Sequence, residues 1–321
     1  PGKHEADIID VAEPQISAPR QIKVKILEVG ICGTDREQAE HGKSVTPPGA
    51  PHLIIGHEMF GQVVETGKEV NSVREGDYVV FSVRRGCGKC LPCKNNRSDM
   101  CYTGQYTERG IRSLHGFDAE YVVDEEQYVI PVPESIASIG VLAEPMSVSE
   151  KAIDEALQIQ RARFEHVSGD WFKDRQVLVA GLGAIGILAS IILRLKGAKV
   201  IGMDLTDENS LKARIVKDIG GQYVNGRHID VNALDDKFGQ IDFILEATGV
   251  PELGFDLIDA LGVNGIYVMT GIPHGQRPVC IAGAAMMNQI VLKNQIVMGS
   301  VNASPIHFQY AIRHLEAVLK K

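Results

Sequence analysis

The sequence has no long apolar run, no excess of basic residues and no low-complexity segment. No apolar stretch approaches the ~18–20 residues that a transmembrane helix needs, and none follows a charged start in the manner of a secretory leader. Lys and Arg number 33 against 41 Asp and Glu, for a formal charge of −8, so the basic surface that nucleic-acid phosphates require is missing. We therefore expect a cytoplasmic protein whose partner is neither a membrane nor a nucleic acid.

Length and composition are those of a globular protein with two domains. The chain has 321 residues, about twice the usual size of one domain. Hydrophobic residues make up 44% and charged residues 23%, which excludes a disordered or collagen-like chain. No internal repeat is visible. We place the first domain at residues 1–150 and the second at residues 151–305.

Short alternating segments dominate residues 21–133. Residues 22–29 alternate apolar and polar side chains with the period of a half-buried strand, and similar short runs occur at residues 61–65, 77–81 and 119–123. Several such strands at close spacing, separated by Gly and Pro, predict a small and mostly antiparallel β-barrel or sandwich.

The second half alternates strands with helices. Residues 176–180 form a compact apolar strand, and a long apolar helix is predicted over residues 184–196. Buried strands that alternate with helices are typical of an α/β fold with a parallel, doubly wound sheet. The remaining predicted strands lie at residues 199–203, 241–247 and 266–269, and the remaining predicted helices at residues 148–163, 211–219 and 253–261.

A glycine-rich turn separates the strand at residues 176–180 from its helix. Its residues are Gly181, Leu182, Gly183, Ala184, Ile185 and Gly186. In a G-x-G-x-x-G turn the first glycine permits the tight turn, the second admits a pyrophosphate, and the third lets helix and strand pack closely, with the helix N-terminus facing the phosphates. A turn without a ligand is the alternative. The strand, the helix and an acidic residue at the end of the next strand favour a dinucleotide site.

That acidic residue is Asp204. A carboxylate at this position accepts hydrogen bonds from the ribose hydroxyls and repels a 2′-phosphate. No Arg stands among residues 205–208, which follow it directly. The pattern favours NAD over NADP, and the alternative is that Asp204 only caps a helix or turn.

Four cysteines lie within fifteen residues on a segment that contains Gly and Pro. They are Cys87, Cys90, Cys93 and Cys101. Four thiolates at short spacings suit a closed, tetrahedral zinc site that holds structure and does no chemistry. Two disulfides or scattered buried thiols are the alternatives, but a chain of this size without a leader has little need of disulfides.

A second group of metal-ligating residues is dispersed along the chain. Cys32 follows the first predicted strand, and His57, Glu58 and Glu144 stand further on. Taken singly, each has another explanation: a small buried thiol, a core histidine, or a carboxylate at a helix start. Spacing alone leaves a shared metal site as one of these alternatives.

Several motifs in chain order carry a resemblance to a known family. Four of these motifs are residues 30–35 (GICGTD), residues 56–58 (GHE), the four-cysteine segment and the turn at residues 181–186. In this order they resemble the zinc-dependent medium-chain dehydrogenase/reductase superfamily over nearly the whole chain. Residues 101–111, 142–152 and 299–303 are similar to its glucose 1-dehydrogenase branch.

The resemblance implies a GroES-like catalytic domain, a Rossmann nucleotide domain, and a return of residues 306–321 to the catalytic domain. Family members have a further strand before these residues and a further helix and strand after them. We therefore expect parts of both ends to lie beyond the numbered residues.

The resemblance also implies a catalytic zinc. Its ligands would be Cys32 and His57, with Glu58 and Glu144 as carboxylates that exchange with water or substrate. Alcohol dehydrogenases of the superfamily usually have a second cysteine as the third protein ligand. This chain has none near Glu144, and the resemblance therefore implies the polyol and sugar branch. Thr34 would relay the proton of the substrate hydroxyl, and its alternative is an ordinary turn hydroxyl.

Glu108, Glu144 and Asn302 would approach the sugar hydroxyls or the nicotinamide region. A surface carboxylate and a turn amide are the alternatives for Glu108 and Asn302. The pair Arg84 and Arg85, just before the four-cysteine segment, is typical of a solvated or salt-bridged feature.

The implied reaction is hydride transfer from C1 of an aldose, glucose or galactose, to NAD or NADP, which gives the lactone. The implied cofactors are two zinc ions per chain and NAD, with NADP as the alternative. The partners would be a sugar substrate and other copies of the chain, as a dimer or tetramer. A sorbitol-type polyol or secondary alcohol dehydrogenase is the competing enzyme, and a non-catalytic zinc protein is the competing class.

Overall fold

The computed structural model describes residues 6–41, 44–165, 167, 171–273 and 278–320. The chain divides into two compact units. Unit 1 consists of Pro1–Ser147 and Asn302–Lys321, and unit 2 consists of Val148–Val301. None of the described helices is both long and apolar enough to cross a membrane.

The described strands and helices follow one another along the chain in this way. The strands are β1 (Gln21–Gly30), β2 (Glu58–Thr66), β3 (Tyr78–Phe81), β4 (Arg84–Arg85), β5 (Thr107–Arg109), β6 (Ser113–Leu114), β7 (Tyr121–Glu125), β8 (Val129–Val132), β9 (Gln176–Ala180), β10 (Lys199–Asp204), β11 (Gln222–Asn225), β12 (Ile241–Glu246), β13 (Leu261–Met269) and β14 (Ile296–Gly299). The helices are α1 (Gly33–His41), α2 (Leu91–Lys94), α3 (Ala143–Arg163), α4 (Ala184–Leu195), α5 (Leu211–Asp218), α6 (Leu234–Phe238), α7 (Pro251–Asp256), α8 (Gly283–Leu292) and α9 (Pro305–Leu319).

Unit 1 is built on an antiparallel sheet with the strand order β7-β1-β2-β3-β8. A small second sheet has the order β4-β5-β6. The expected alternation along β1 holds for Ile22 and Val24, which are buried. Lys23 departs from it and is also buried, because its ammonium pairs with Glu13 and lies 5.4 Å from the ring centre of Tyr121.

Unit 2 contains a parallel sheet with the order β11-β10-β9-β12-β13-β14. Counted along the unit this is 3-2-1-4-5-6, the order of the Rossmann fold, and it reverses between β9 and β12. Residues 177–180 of β9 are fully buried because the strand is central and helices cover parallel sheets on both faces. The α/β fold class predicted from the sequence, a doubly wound Rossmann sheet with a mostly antiparallel second domain, is confirmed.

Some predicted bounds were wrong in detail. The helix predicted over residues 253–261 begins earlier and ends earlier, since α7 spans Pro251–Asp256 and β13 already begins at Leu261. Neither β11 nor β14 was predicted. Both are short strands at the two edges of the sheet, where one neighbour is missing and the apolar pattern is weak.

Truncating a buried side chain in the core of unit 2 should lower the stability of the protein by creating a cavity. Phe243 on β12 is fully buried, and its ring meets that of Phe172 edge-on at 5.3 Å. Phe243→Ala should lower the free energy of unfolding by about 3–5 kcal/mol, measured by urea denaturation. Phe164→Ala, at a position that is 38% exposed, is the matched control and should cost about 1 kcal/mol or less. Equal costs at the two positions would contradict this account of the core.

Candidate metal centre and nucleotide site

The register of β1 against β2 brings three metal-ligating groups together in unit 1. Gly30 at the end of β1 pairs with Glu58 at the start of β2; Cys32 follows Gly30 by two residues, and His57 directly precedes Glu58. The ligand atoms of Cys32, His57 and Glu58 all lie within 4.8 Å of one another. Gly30 is required here, because a Cβ at this position would lie 2.1 Å from Oε2 of Glu58.

Asp35, in the first turn of α1, connects two of these groups. Its Oδ2 accepts a hydrogen bond of 2.8 Å from the backbone N–H of Cys32, and its Oδ1 lies 3.2 Å from Nδ1 of His57. A carboxylate beside one ring nitrogen orients the imidazole and leaves the other nitrogen, Nε2, for a metal. The sequence motif contained Asp35, but no role was predicted for it.

Glu144 stands at the start of α3 and is buried. It lies outside the three-residue group, yet it is close enough for the charges of His57 and Glu58 to act on it. Burial raises the pKa of Glu144 to about 7, and the neighbouring carboxylates add to this while His57 opposes it. Burial likewise raises the pKa of Glu58.

The charges around His57 suit a divalent cation. Burial lowers the pKa of His57, but its neighbours more than reverse this effect, so that the pKa lies well above its ordinary value. These neighbours are Asp35, Cys32 and Glu144. The acidic groups around this buried histidine carry an excess of negative charge, which a divalent cation would offset. The donor set of thiolate, imidazole and carboxylate fits zinc.

Thr34 follows Cys32 by two residues on α1. Its Oγ1 lies 3.9 Å from Sγ of Cys32, so a hydroxyl stands next to the group of ligands.

The four-cysteine segment forms a second ligand group. The sulfur atoms of Cys87, Cys90, Cys93 and Cys101 lie within 4.8 Å of one another. The Cys87–Cys93 and Cys90–Cys101 distances are 4.0 and 3.9 Å, and all four thiols are free. Disulfide sulfurs lie about 2.05 Å apart, whereas thiolates at about 2.3 Å from a shared tetrahedral zinc lie about 3.8 Å from one another. This geometry fits zinc and disagrees with the disulfide alternative.

The surroundings act on these thiols in opposite directions, since burial raises the pKa of Cys93 to about 12 whereas hydrogen bonds favour the thiolate of Cys87. A hydrogen bond from Thr103, together with the N–H groups of Lys89 and Cys90, lowers the pKa of Cys87 to about 5. Metal ligation requires the thiolate, so these donors prepare Cys87 for it.

Glu108 and Asn302 are in direct contact within unit 1. Glu108 is buried on β5, and its Oε1 accepts a hydrogen bond of 2.7 Å from Nδ2 of Asn302. The same oxygen accepts a hydrogen bond of 2.9 Å from Nε of Arg84. Glu108 is therefore not a surface carboxylate, and Arg84 forms a partly buried ion pair with it that the sequence pattern did not predict.

The glycine-rich turn of unit 2 meets the three steric demands of a dinucleotide fingerprint. Gly181 has φ = 89°, which favours glycine. No atom lies within 4 Å of where a Cβ of Gly183 would be, which leaves room for a ligand against the backbone. A Cβ at Gly186 would lie 1.8 Å from the carbonyl oxygen of Gly181. Ala184 and Ile185 open α4, whose first N–H groups have no partner within the helix.

Asp204 lies at the end of β10, in a cleft of unit 2 that Gly181 and Gly183 also line. Its Oδ2 accepts hydrogen bonds from the N–H of Leu182 at 2.9 Å and from Nζ of Lys212 at 3.0 Å. Burial raises the pKa of Asp204, but these donors outweigh it and the pKa is lowered.

Lys212 is a residue that the sequence pattern missed. No Arg follows Asp204 directly, yet α5 brings this lysine back from eight positions further along the chain. The acidic character expected of this end of the cleft is therefore partly neutralised.

Comparisons with known proteins agree with this architecture. Residues 137–321 match the family model described as glucose dehydrogenase C-terminus, and residues 18–134 match that of the alcohol dehydrogenase GroES-like domain. The glucose 1-dehydrogenase of Methanocella arvoryzae is 38% identical, over 100% of this chain and 88% of the relative. That of Thermoproteus tenax is 37% identical, over 96% of this chain and 83% of the relative.

Solved structures agree as well. The glucose dehydrogenase of Haloferax mediterranei, in complex with NADP, Zn and gluconolactone, superposes with a TM-score of 0.87. It is 31% identical, and the match covers 98% of this chain and 87% of that one. The galactitol-1-phosphate dehydrogenase of Escherichia coli, 23% identical with a TM-score of 0.80 over 97% of this chain and 86% of that one, shares the fold. The chain belongs to the glucose dehydrogenase branch of the zinc-dependent medium-chain dehydrogenase/reductase superfamily.

Proposed function

We propose that the protein is a zinc-dependent aldose 1-dehydrogenase, which oxidises C1 of glucose or galactose with NAD(P) and releases the lactone. The observation that carries the proposal is the convergence of Cys32, His57 and Glu58 within 4.8 Å. The sugar and the cofactors are carried over from the Haloferax mediterranei relative, whose complex holds NADP, Zn and gluconolactone.

The catalytic metal would be held by Cys32, His57 and a carboxylate from Glu58 or Glu144. Zinc bound there supplies a Lewis acid, which lowers the pKa of a substrate hydroxyl. Asp35 would orient the imidazole of His57 toward the other ligands. Asp35 also accepts a hydrogen bond from the N–H of Cys32, which would fix the backbone that carries the thiolate. The four thiolates of Cys87, Cys90, Cys93 and Cys101 would hold a second zinc ion with a structural role.

The reaction removes a proton from the C1 hydroxyl and a hydride from C1. Thr34 would accept the proton at Oγ1 and pass it toward solvent. NAD(P) bound by unit 2 would supply the two-electron acceptor for this hydride, so that the sugar would leave as the lactone.

Glu108 and Asn302 would bind the sugar hydroxyls. Among the described residues, both side-chain bonds to Glu108 use Oε1, which leaves Oε2 for a hydroxyl of the ligand. A site that satisfies its buried polar groups with substrate hydroxyls strongly rejects analogues that lack them.

Unit 2 would bind the dinucleotide along the turn from Gly181 to Gly186. Asp204 would accept hydrogen bonds from the adenosine ribose, which favours NAD. Lys212 places a positive charge beside that carboxylate, so a 2′-phosphate is tolerated as well. We propose NAD as the preferred cofactor and NADP as an accepted one.

The domain roles and the assembly are part of the same proposal. Unit 1 would be the catalytic domain, to which the chain returns at Asn302 rather than at residue 306, and unit 2 would be the nucleotide domain. Free cysteines that serve as zinc ligands suit the reducing cytoplasm. A homo-oligomer is supported by α8, on which Met287, Val291 and Leu292 are 66, 70 and 80% exposed.

A substrate panel tests the proposed activity. Zinc-loaded protein should reduce NAD(P) with glucose or galactose and should be much slower with deoxy sugars, which leave Oε2 of Glu108 without its hydroxyl partner. Steady-state kcat/KM for aldoses, deoxy sugars, sorbitol and a secondary alcohol is the measurement. Oxidation of sorbitol without oxidation of any aldose would establish the polyol dehydrogenase instead.

Removing one ligand tests the metal assignment. Cys32→Ser should reduce the zinc content from about two ions per chain to about one and lower turnover by at least about 100-fold, while dinucleotide binding stays within about twofold. Elemental analysis, steady-state rates and a nucleotide titration measure these effects. Cys280→Ser, at an exposed free cysteine, is the control and should change none of them. Full zinc content and turnover in Cys32→Ser would remove Cys32 from the centre.

Cofactor choice can be tested at Lys212. Lys212→Ala should lower kcat/KM for NADP by about tenfold, because a 2′-phosphate would then face Asp204 without a cation, and should leave NAD within about twofold. Lys217→Ala on the same helix, whose ammonium contacts the carbonyl of Glu208, is the control. Equal losses for both cofactors would assign Lys212 to general binding or to folding.

A further inference from the structure

Arg84 lies on β4, immediately before the four-cysteine segment. In the register of the small sheet it stands opposite Glu108 on β5. Its side chain is only 11% exposed. An arginine so buried needs partners on several sides, and each partner constrains the orientation of its planar guanidinium.

Three contacts hold this guanidinium. Nε donates a hydrogen bond of 2.9 Å to Oε1 of Glu108, and Nη1 donates one of 2.6 Å to the carbonyl oxygen of Asp99. The face of the guanidinium stacks on Tyr106, with Cζ 4.3 Å from the ring centre. A lysine could supply the charge, but it could not make two directed bonds and a stacking contact together.

One of these contacts reaches into the four-cysteine segment. Asp99 belongs to the short 3₁₀ turn Ser98–Met100, which lies between the ligands Cys93 and Cys101. The four-cysteine segment is therefore connected to the carboxylate of Glu108 through the carbonyl of Asp99 and the guanidinium of Arg84.

Glu108, the residue at the other end of this chain of contacts, is the one proposed to bind the sugar. Oε1 of Glu108 also accepts from Nδ2 of Asn302, which has φ = 63° and whose Oδ1 accepts from the N–H of Ala303. Two donors on one oxygen define the plane of the carboxylate. Its second oxygen, Oε2, then points in a direction that Arg84 and Asn302 set together.

We propose that Arg84 is a positioning residue that ties Glu108 to the four-cysteine segment, so that this segment sets the selectivity for the hydroxyls of the substrate. The proposal rests on the proposed function, in which Glu108 contacts the sugar. A purely structural role for Arg84, as neutralising partner of a buried carboxylate, would change stability without changing sugar affinity selectively.

The first test is Arg84→Lys in the zinc-loaded enzyme. We expect KM for the aldose to rise about tenfold, with kcat within about threefold, KM for the dinucleotide within about twofold and two zinc ions retained. Arg112→Lys is the matched control, because the guanidinium of Arg112 stacks on the same Tyr106 ring at 4.6 Å and donates to the carbonyl of Gly104 rather than to the carboxylate of Glu108. A KM for the aldose that is unchanged in Arg84→Lys, or raised equally in Arg112→Lys, overturns the proposal.

A double-mutant cycle tests whether Arg84 acts through Glu108. If it does, Arg84→Lys should add less than about twofold to the KM of Glu108→Gln, although it costs about tenfold in the wild-type background. Fully additive effects overturn the proposal. Should Arg84→Lys fail to fold, as judged by thermal unfolding, Tyr106→Leu removes the stacking support while both charges stay, and it should raise KM for the aldose by about threefold; an unchanged KM overturns the proposal.

The wild-type enzyme separates this proposal from the proposed function. Failure of the wild type to oxidise any aldose would refute the aldose dehydrogenase and say nothing against Arg84. The same cycle is then run with the best polyol of the substrate panel, for which a selective and non-additive change in KM is again required.

Discussion

The antiparallel pairing of Gly30 with Glu58 is the constraint on which the candidate metal centre depends. It places the loop that carries Cys32 beside the strand start that carries His57 and Glu58. Glycine is needed at position 30 because the carboxylate of Glu58 occupies the space of a side chain there. A shift of one residue in this register would turn the ligands to opposite faces of the sheet.

Burying several acidic groups close together is electrostatically unfavourable unless a cation offsets their charge. Asp35, Cys32 and Glu144 act on one buried histidine, and the pKa of Glu144 rises to about 7 as a result of burial and of its acidic neighbours Glu58 and Asp35. A divalent ion would offset these charges together, which explains how so many acidic groups can be buried within a small sheet domain.

In unit 2 the candidate dinucleotide site depends on steric constraints rather than on charge. The turn after β9 brings backbone to backbone at Gly186, keeps open space at Gly183 and adopts a left-handed conformation at Gly181. The strand order reverses between β9 and β12, and the cleft lies at the carboxyl ends of these strands, as is usual for doubly wound sheets. The ion pair of Asp204 with Lys212 then modifies the electrostatics of a site whose shape is already determined by glycines.

Features that depend on neighbours in the chain were predictable from the sequence alone. The four cysteines and the glycine-rich turn are compact motifs, whose spacing determines the ligand set or the turn geometry whatever surrounds them. The alternation of strands and helices likewise predicted the parallel sheet. Contacts between distant segments were decided only by the tertiary structure. Glu108 meets Asn302 across 194 positions, Arg84 joins them through the register of β4 and β5, and α5 returns Lys212 to Asp204. No local pattern encodes such pairs, because strand register and the packing of whole elements bring them together.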